Sequence, residues 1–266
     1  MISKSIEKAV VAVPARLQSS RLPGKVLAGI GGKSMIQRVL ERSSQAAGVD
    51  AVVLCTDSDL VQQLALDWGF PVLMTSQNCT SGSERIASVA DALMDLAWGD
   101  QEVDPERTAV INVQGDQPFL DPAVIEAMVA EFQRSDSPPE VVTPVYALSA
   151  ASVHNPNVVK TVLADDSRAL YFSRSAIPHV RDVEPQDWHR YTTYWGHVGM
   201  YGFRGDVLAA WDQLPASPLE DLERLEQLRL IEAGHTIATF PVQGTSLSVD
   251  TAEQLEEARS MAQSSF

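Results

Sequence analysis

The sequence predicts an α/β fold: a mostly parallel mixed sheet with helices on both faces. Two patterns predict it, namely short runs of β-branched residues and helical periodicity between those runs. The strand-like runs lie at residues 10–13, 51–56, 72–75 and 109–113. Helix spacing occurs at residues 34–48, 59–69 and 83–96. Strands and helices that alternate in this way form βαβ units, whose strands are parallel.

The predicted helix at residues 59–69 has a single apolar stripe, as expected for a helix that packs on a sheet. The stripe consists of Val61, Leu64, Ala65 and Trp68. Asp59 and Ser83 are predicted to be N-caps, because their side chains can accept the first free N–H groups of a helix. Gly48 and Gly69 are predicted to follow helix C-termini.

After about residue 141 the pattern changes to strand-like runs separated by loops. These runs lie at residues 158–163, 170–172 and 198–203, and helices are predicted at 220–233 and 252–262. The only linker-like tract is the short segment 135–139. We therefore expect residues 1–266 to form a single domain. Residues 1–140 and 205–266 would be its core, and 141–204 a smaller inserted β-rich region.

Composition excludes several classes of protein. The net charge of −15 argues against a general binder of nucleic acids or anionic membranes, which needs a basic face. Two cysteines, Cys55 and Cys79, are too few for a disulfide framework or a zinc site. No apolar stretch reaches the roughly 18–20 residues that span a bilayer. These features predict a reduced, cytoplasmic location with no membrane contact.

A basic loop follows the first predicted strand. Residues 14–25 read PARLQSSRLPGK, so Arg16, Arg21 and Lys25 lie within ten residues. Arginine forks and a lysine point charge suit phosphate oxygens, and glycine lets backbone N–H groups approach them. Ligands of open α/β sheets bind beyond the carboxyl ends of the strands, where this loop lies. We therefore expect the loop to bind a polyphosphate.

Neither of the two common phosphate-binding loops is present. A Walker A motif ending at Lys25 would need glycine at Ser19 and a hydroxyl residue at Val26. One ending at residues 32–34 would need glycine at Leu27. A Rossmann fingerprint is also unsupported, because residues 29–31 do not directly follow a strand.

Two aspartates follow strand-like runs and are candidate magnesium ligands. Asp116 ends the segment VINVQGD, and Asp250 lies in LSVDT. Magnesium is usually held by one or two carboxylates, with water and substrate phosphates completing its shell. A competing pair, Asp57 and Asp59, fits the loose DxD pattern of glycosyltransferases. We interpret that pair as structural, since Asp59 opens a helix.

The loop sequences PAR (14–16) and SRLPGK (20–25) resemble the signature of sugar-activating nucleotidylyltransferases. Within them they are most similar to the 3-deoxy-manno-octulosonate (Kdo) cytidylyltransferase, or CMP-Kdo synthetase, family. The resemblance implies a nucleotide-diphospho-sugar transferase-like sheet and a homodimer. It also implies CTP, Kdo and Mg²⁺ as ligands, and a role in lipopolysaccharide-type glycan synthesis. The core would then bind the nucleotide, and region 141–204 the sugar and a second subunit.

The same resemblance extends to the residues that would hold the nucleotide. The segments VINVQGDQP (110–118), LSVDT (247–251) and TSGSER (80–85) match family elements. Gln117 and Ser248 depart from the family pattern but leave both aspartates in place. The nucleotide-binding set implied is Pro14, Ala15, Arg16, Arg21, Lys25, Ser81, Gly82, Arg85, Gln114 and Asp116. Asp116 and Asp250 would hold the metal and, with Arg16 and Lys25, act in catalysis.

Four further segments resemble Kdo-enzyme segments in matching order: NPNVVK (155–160), YFSRSAIP (171–178), HVGMYGFR (197–204) and LEQLR (225–229). Kdo is a carboxylated polyol, so its pocket needs a cation and neutral hydrogen-bonding groups. The sugar-binding set implied is Lys160, Arg174, His197, Tyr201, Glu226 and Gln227. No general base is identifiable from the sequence.

Three alternatives stay open. The first is a cytidylyltransferase for another acidic sugar, such as a sialic acid. The second is a glycosyltransferase that uses Asp57 and Asp59 for metal and releases a nucleoside diphosphate. The third is a nucleotide-sensing protein without turnover, which would need neither strand-end aspartate.

Overall fold

The computed structural model describes residues 5–19, 21–134, 137–244 and 247–264. Internal contacts divide the chain into two compact units. Unit 1 comprises Met1–Pro138, Gly202–Asp212 and Ser246–Phe266, and unit 2 comprises Pro139–Tyr201 and Gln213–Thr245. Part of the predicted linker tract 135–139, and Ser20 of the basic loop, lie outside the described residues.

The strands, numbered along the described chain, are β1 (Lys8–Ala15), β2 (Gly29–Ile30), β3 (Lys33–Ser34), β4 (Ala51–Thr56), β5 (Val72–Met74), β6 (Thr108–Asn112), β7 (Val141–Ala147), β8 (Lys160–Leu163), β9 (Ala169–Ser173), β10 (Trp195–His197), β11 (Tyr201–Arg204) and β12 (Ile237–Pro241). The α-helices are α1 (Met35–Ser43), α2 (Asp59–Asp67), α3 (Gly82–Ala87), α4 (Ala90–Trp98), α5 (Pro122–Gln133), α6 (Gly205–Ala209), α7 (Pro218–Glu223), α8 (Gln227–Glu232) and α9 (Ala252–Ser264). None of the helices in the described ranges is both long and apolar enough to cross a membrane.

Unit 1 is built on the parallel strands β5, β4, β1 and β6, in that order across the sheet. Strand β1 is buried along almost its whole length, because it is paired on both sides and covered on both faces. Its last residue, Ala15, pairs with Thr56, and its Ala12 pairs with Asn112. This register brings the loops after β1, β4 and β6 to one edge of the sheet. The predicted mostly parallel fold is confirmed.

The boundaries of α1 and α2 differ from prediction. The N-cap of α2 is Ser58, whose hydroxyl accepts the N–H of Val61, and Asp59 is the first helical residue. Helix α1 ends at Ser43, so Gly48 lies beyond it in a turn rather than at its C-terminus.

The single helix predicted at residues 83–96 is two helices, α3 and α4. The N-cap of α3 is Ser81, not Ser83, and it accepts the N–H of Glu84. The hydroxyl of Ser88 donates to the carbonyl of Arg85, which competes with continued helical bonding, and Val89 leaves the helical conformation. Periodicity alone does not detect such a break.

Unit 2 contains the antiparallel strands β7, β10, β8 and β9, with β12 parallel to β7. The segment Gln213–Thr245 groups with this unit because β12 pairs with β7. The sequence had assigned residues 213–245 to the core, so the division differs there. The predicted single domain with an insertion stays a prediction.

The helix predicted at residues 220–233 is also two helices, α7 and α8. Arg224 separates them in the left-handed conformation, with φ of 55°. The guanidinium of Arg174 accounts for this break, because its Nε donates to the carbonyl of Glu223 at 2.8 Å and its Nη2 to that of Arg224 at 3.5 Å. The guanidinium of Arg174 therefore donates to carbonyl groups that would accept backbone N–H groups if the helix continued.

Candidate active site

The loops at the carboxyl edge of the unit 1 sheet surround an open cavity of about 280 Å³. All the residues predicted to bind the nucleotide line it: Pro14, Ala15, Arg16, Arg21, Lys25, Ser81, Gly82, Arg85, Gln114 and Asp116. Asp250 lines it as well. The fold thus brings together four segments that are far apart in the sequence.

Lys25 lies at the acidic side of this cavity. Its ammonium donates to Asp116 Oδ2 and to Asp250 Oδ1, both at 2.8 Å, and lies 3.4 Å from the carbonyl of Val249. Burial alone would lower the pKa of Lys25, but the charges and hydrogen bonds of the two carboxylates outweigh it and raise that pKa. Lys25 is therefore a fixed cation shared by two carboxylates.

The backbone holds these two aspartates in place. The N–H of Val249 donates to the carbonyl of Asp116 at 2.9 Å, which ties the two loops together. Gln254 Oε1 accepts the N–H groups of Asp250 and Thr251, and Thr251 Oγ1 accepts that of Gln254. This is a capping box at the start of α9. The sequence reasoning missed Gln254, although the Thr-x-x-Gln spacing before a helix is its signal.

Two glycines allow the cavity wall to close. A Cβ at Gly115 would lie 2.9 Å from the carbonyl oxygen of Pro14, and only a residue without a side chain avoids that clash. A Cβ at Gly82 would lie 3.2 Å from both amide atoms of Gln114. The loop after β6 therefore packs directly on the backbone of β1, and the start of α3 packs on the side chain of Gln114.

Arg85 lines the cavity, but much of its guanidinium group is already hydrogen-bonded to other residues of the protein. Its side chain is 3% exposed, and Nη2 lies 3.0 Å from Asp57 Oδ2. Nη1 donates to Thr75 Oγ1 and to the carbonyl of Ser76. Arg85 thus anchors the loops after β4 and β5. The same contact neutralises Asp57, as expected if the Asp57 and Asp59 pair is structural.

Among the predicted sugar-binding residues of unit 2, Lys160 is fully buried. Its ammonium donates to the carbonyls of Asn155, Val158 and Arg174 at 2.5–2.8 Å, which uses all three of its N–H groups. Desolvation, and then the charge of Arg174, lowers its pKa. This geometry leaves no N–H for a ligand and does not support sugar binding by Lys160. The sequence around Lys160 does not indicate that its ammonium is hydrogen-bonded to carbonyls of the protein.

The guanidinium group of Arg174 is only partly hydrogen-bonded within the protein. Besides the two carbonyls at the end of α7, its Nη1 lies 3.2 Å from the carbonyl of Pro156. A guanidinium has five N–H groups, so two remain for a carboxylate. The carboxylate of Glu223 accepts the hydroxyl of Ser173 and the N–H of Arg174, which fixes the backbone at this point.

His197, Tyr201 and Gln227 form one cluster in unit 2. The ring of His197 lies 5.3 Å from that of Tyr201, and the Tyr201 hydroxyl donates to Gln227 Oε1 at 2.8 Å. Burial, and then the charge of Glu226, raises the pKa of Tyr201. Glu226 directly precedes α8 as its N-cap residue. Tyr201 thus contacts two other predicted sugar-binding side chains, His197 and Gln227.

His197 is a neutral imidazole. Burial lowers its pKa to about 3, and its Nε2 lies 3.0 Å from Thr143 Oγ1. The Thr143 hydroxyl donates to the carbonyl of Met200 at 2.7 Å, so it accepts a hydrogen bond from His197 Nε2–H. Nδ1 is then the unprotonated nitrogen, a hydrogen-bond acceptor suited to a hydroxyl.

The chain belongs to the cytidylyltransferase family, because the profile of that family, described as cytidylyltransferase, matches residues 10–237. Its relatives place it with the 3-deoxy-manno-octulosonate cytidylyltransferases, which are nucleotidyltransferases. This is the family that the sequence motifs predicted. One of them, from Escherichia coli, is 41% identical over 256 residues, 96% of each chain.

Two other relatives are informative. A solved structure of a CMP:2-keto-3-deoxy-manno-octonic acid synthetase in complex with CTP is 40% identical. It superposes with a TM-score of 0.87 over 98% of this chain and 100% of that one. An 8-amino-3,8-dideoxy-manno-octulosonate cytidylyltransferase from Shewanella amazonensis is 41% identical over 244 residues, 91% of this chain and 94% of its own.

We predict that Lys25→Met destabilises the protein in the absence of metal, because Asp116 and Asp250 would then repel each other without a shared cation. The expected loss is about 1–2 kcal/mol of unfolding free energy. Added Mg²⁺ should restore more stability to this variant than to the wild type. Thermal unfolding with and without Mg²⁺ measures both effects.

Lys33→Met is the matched control, because Lys33 pairs with Glu41 at an exposed site and its loss should change little. A Lys25→Met protein as stable as the wild type without metal would contradict the assignment of Lys25 as the shared cation.

We predict that His197 makes the protein sensitive to acid. The unfolded chain protonates this histidine near pH 6.5, whereas the folded protein does so only near its pKa of about 3. Stability contributed by the neutral ring is therefore complete above pH 6.5 and is lost as pH falls toward 3. Between pH 7 and pH 5 the wild type should lose about 2 kcal/mol more than His197→Gln does.

Urea unfolding at the two pH values measures this difference, and the exposed His189 supplies the control variant, His189→Gln. If the wild type and His197→Gln lose stability in parallel, the assignment of His197 as a neutral, half-buried imidazole is wrong.

Proposed function

We propose that this chain transfers CMP from CTP to the anomeric hydroxyl of Kdo and releases pyrophosphate. One observation carries the proposal: the basic loop and the two strand-end aspartates line a single cavity of unit 1. The names of the relatives, and the CTP complex of one of them, support the same activity. They do not favour the alternative of a sialic acid as acceptor.

The triphosphate would bind through the basic loop. Arg16 and Arg21 are exposed at the cavity, where their guanidinium groups can reach phosphate oxygens. Arg21 Nη2 also pairs with Asp250 Oδ1 at 3.1 Å, so phosphate would compete with that carboxylate. Lys25 is held by carboxylates in the free protein, and phosphate oxygens would compete with them for its ammonium. Arg16 and Lys25 are the residues we assign to the β- and γ-phosphates.

The donor set fits Mg²⁺. Asp116 and Asp250 each already direct one oxygen at the Lys25 ammonium at 2.8 Å, and the same oxygen of Asp250 lies 3.1 Å from Arg21 Nη2. Two carboxylates with water and phosphate oxygens satisfy the octahedral preference of this ion. When bound, Mg²⁺ would supply charge neutralisation at the α-phosphate and acidify the attacking hydroxyl.

The reaction is an in-line displacement at the α-phosphorus. The anomeric oxygen of the sugar forms the new P–O bond, the bond to the β-phosphate oxygen breaks, and pyrophosphate leaves with the bonding electron pair. The sugar hydroxyl gives up its proton to solvent water. Arg16 and Lys25 stabilise the leaving group, so positioning and charge stabilisation account for most of the catalysis.

The acceptor would use the cluster in unit 2. His197 Nδ1 can accept a hydrogen bond from a sugar hydroxyl, and the remaining N–H groups of Arg174 can bind the carboxylate. A second candidate acceptor is 8-amino-3,8-dideoxy-manno-octulosonate, because the Shewanella amazonensis relative is as similar as the one from Escherichia coli. Both sugars carry the carboxylate and the anomeric hydroxyl that the reaction requires.

We further propose that the protein works as a homodimer in the cytoplasm and serves lipopolysaccharide-type glycan synthesis. Resemblance to the family motifs supports the dimer and the pathway. A chain with two cysteines, Cys55 and Cys79, that do not pair with each other is compatible with a reducing compartment.

Pyrophosphate release from CTP tests the function. Kdo, its 8-amino analogue and a sialic acid are supplied separately and then in competition. Kdo should give the highest kcat/KM. Preference for another acceptor would change the substrate assignment, and release of a nucleoside diphosphate would identify a glycosyltransferase.

We predict that Asp116→Asn lowers kcat by roughly 100-fold, about 3 kcal/mol of lost transition-state stabilisation. Asp121→Asn is the control, because Asp121 caps α5 and asparagine caps equally well. Near-normal turnover by Asp116→Asn in the presence of Mg²⁺ would remove Asp116 from the metal site.

A further inference from the structure

A buried cation of unit 2 binds the protein backbone at three points. Lys160 is fully buried. Its ammonium donates to the carbonyls of Asn155, Val158 and Arg174. An ammonium can only donate and a carbonyl can only accept, so the direction of all three hydrogen bonds is fixed. Burying a charge is costly unless such partners are in place, and the ammonium and the three carbonyls therefore hold one another in position.

Two of these carbonyls belong to a turn that precedes β8. The turn spans residues 155–158, and the N–H of Val158 donates to the carbonyl of Asn155 at 3.1 Å. Pro156 occupies the second position of this turn, which proline favours because it fixes φ. Lys160 binds the carbonyls of the first and last residues, so it holds the turn as a unit.

The same turn supports the guanidinium of Arg174. The carbonyl of Pro156 accepts Arg174 Nη1 at 3.2 Å, and the carbonyl of Glu223 accepts its Nε at 2.8 Å. Lys160 thus holds Arg174 at two points: its backbone carbonyl directly, and its guanidinium through the turn. Loss of the ammonium would release both of these points and leave the guanidinium attached only to the end of α7.

The orientation of a guanidinium decides how it binds a carboxylate. Two parallel N–H groups reach both carboxylate oxygens only when the edge of the guanidinium faces them, and a rotated group offers a single hydrogen bond. A displacement of about 1 Å is enough to weaken such a contact strongly. In the proposed function, Arg174 binds the carboxylate of the acceptor sugar with the N–H groups that its contacts with carbonyls leave over.

We propose that Lys160 is a positioning residue for the acceptor: it fixes the guanidinium of Arg174 in the orientation that binds the carboxylate of the sugar. The inference rests on the proposed function, in which Arg174 binds that carboxylate. Lys160 itself touches no substrate, because its three N–H groups are bonded to carbonyls. This role replaces the direct sugar contact that the family resemblance implied for Lys160.

Steady-state kinetics of pyrophosphate release by the full chain, with Kdo and CTP varied separately, tests the proposal. Lys160→Met keeps an unbranched side chain and removes the donors, so KM for Kdo should rise about 10-fold. KM for CTP should stay within about 2-fold, because the nucleotide cavity lies in unit 1. Arg168→Met is the control: it removes an exposed cation of unit 2, 3.8 Å from Asp166, and should change neither constant.

A double-mutant cycle with Arg174→Gln shows whether Lys160 acts through Arg174. Arg174→Gln alone should raise KM for Kdo about 10- to 100-fold, the loss expected for a charged hydrogen-bonded pair. Adding Lys160→Met to that variant should change KM for Kdo by less than about 2-fold, because no guanidinium is left to position. Additive effects of the two substitutions would overturn the proposal, since Lys160 would then act through its own charge or through the fold.

Lys160→Gln is a second variant for the case that methionine against three carbonyls prevents folding. Its amide keeps two N–H donors, so KM for Kdo should rise by only about 3-fold, with KM for CTP unchanged. Equal rises in KM for Kdo and for CTP would mean a merely structural role and would overturn the proposal. An unchanged KM for Kdo in the folded Lys160 variants would overturn it as well. A wild type that releases no pyrophosphate from CTP with Kdo would instead overturn the proposed function.

Discussion

Two carboxylates from distant parts of the chain, Asp116 and Asp250, share the ammonium group of Lys25 at 2.8 Å each. They are 91 and 225 residues away from it in the sequence. The contact therefore requires unit 1 to bring the loops after β1 and β6 and the start of α9 to one point. Because two carboxylates left facing each other would repel, this shared cation is a condition for the site in the metal-free protein.

The parallel register of β1 with β4 and β6 makes this meeting possible, since it aligns the carboxyl ends of the strands. Packing then fixes the loops. Gly115 permits contact with the carbonyl of Pro14, and the buried Val249 anchors Asp250 in an apolar cluster with α9. The site is thus built on strand ends and a helix start, whose positions are set by burial.

The sequence predicted unit 1 and its cavity well, because the signals there are local. Strand β4 was predicted with its exact bounds, and each residue assigned to the nucleotide lines the cavity. The break in the helix predicted at residues 220–233 has a long-range cause, because Arg174 draws the carbonyls at Glu223 and Arg224 out of a helix about 50 residues away. The ammonium of Lys160 is bound by backbone carbonyls, two of them within five residues in the sequence, and its charge does not reveal those contacts. Helical periodicity and charge cannot register a contact between a side chain and a distant backbone.

The polar members of the cavity were predicted less completely for a similar reason. Gln114 was assigned to the nucleotide-binding set through its family segment, and its amide can both donate and accept. That amide contacts the buried Asn112, which in turn contacts Ser83, and these two residues come from a strand and a helix that meet only in the folded protein. The residue type gives the possible chemistry, and the fold supplies the neighbours that the amide contacts.

Charge balance in the cavity gives a physical reason for a divalent cation. Arg85 is neutralised by Asp57, so the positive charges that remain in the cavity are those of Arg16, Arg21 and Lys25. Asp116 and Asp250 oppose them, which leaves a net charge of about +1 against the roughly four negative charges of a triphosphate. The charge of the whole chain does not attract the triphosphate, since the net charge is −15. A triphosphate therefore gains most when it arrives with its own cation, and the two aspartates that weaken the basic loop are the groups that would receive that ion.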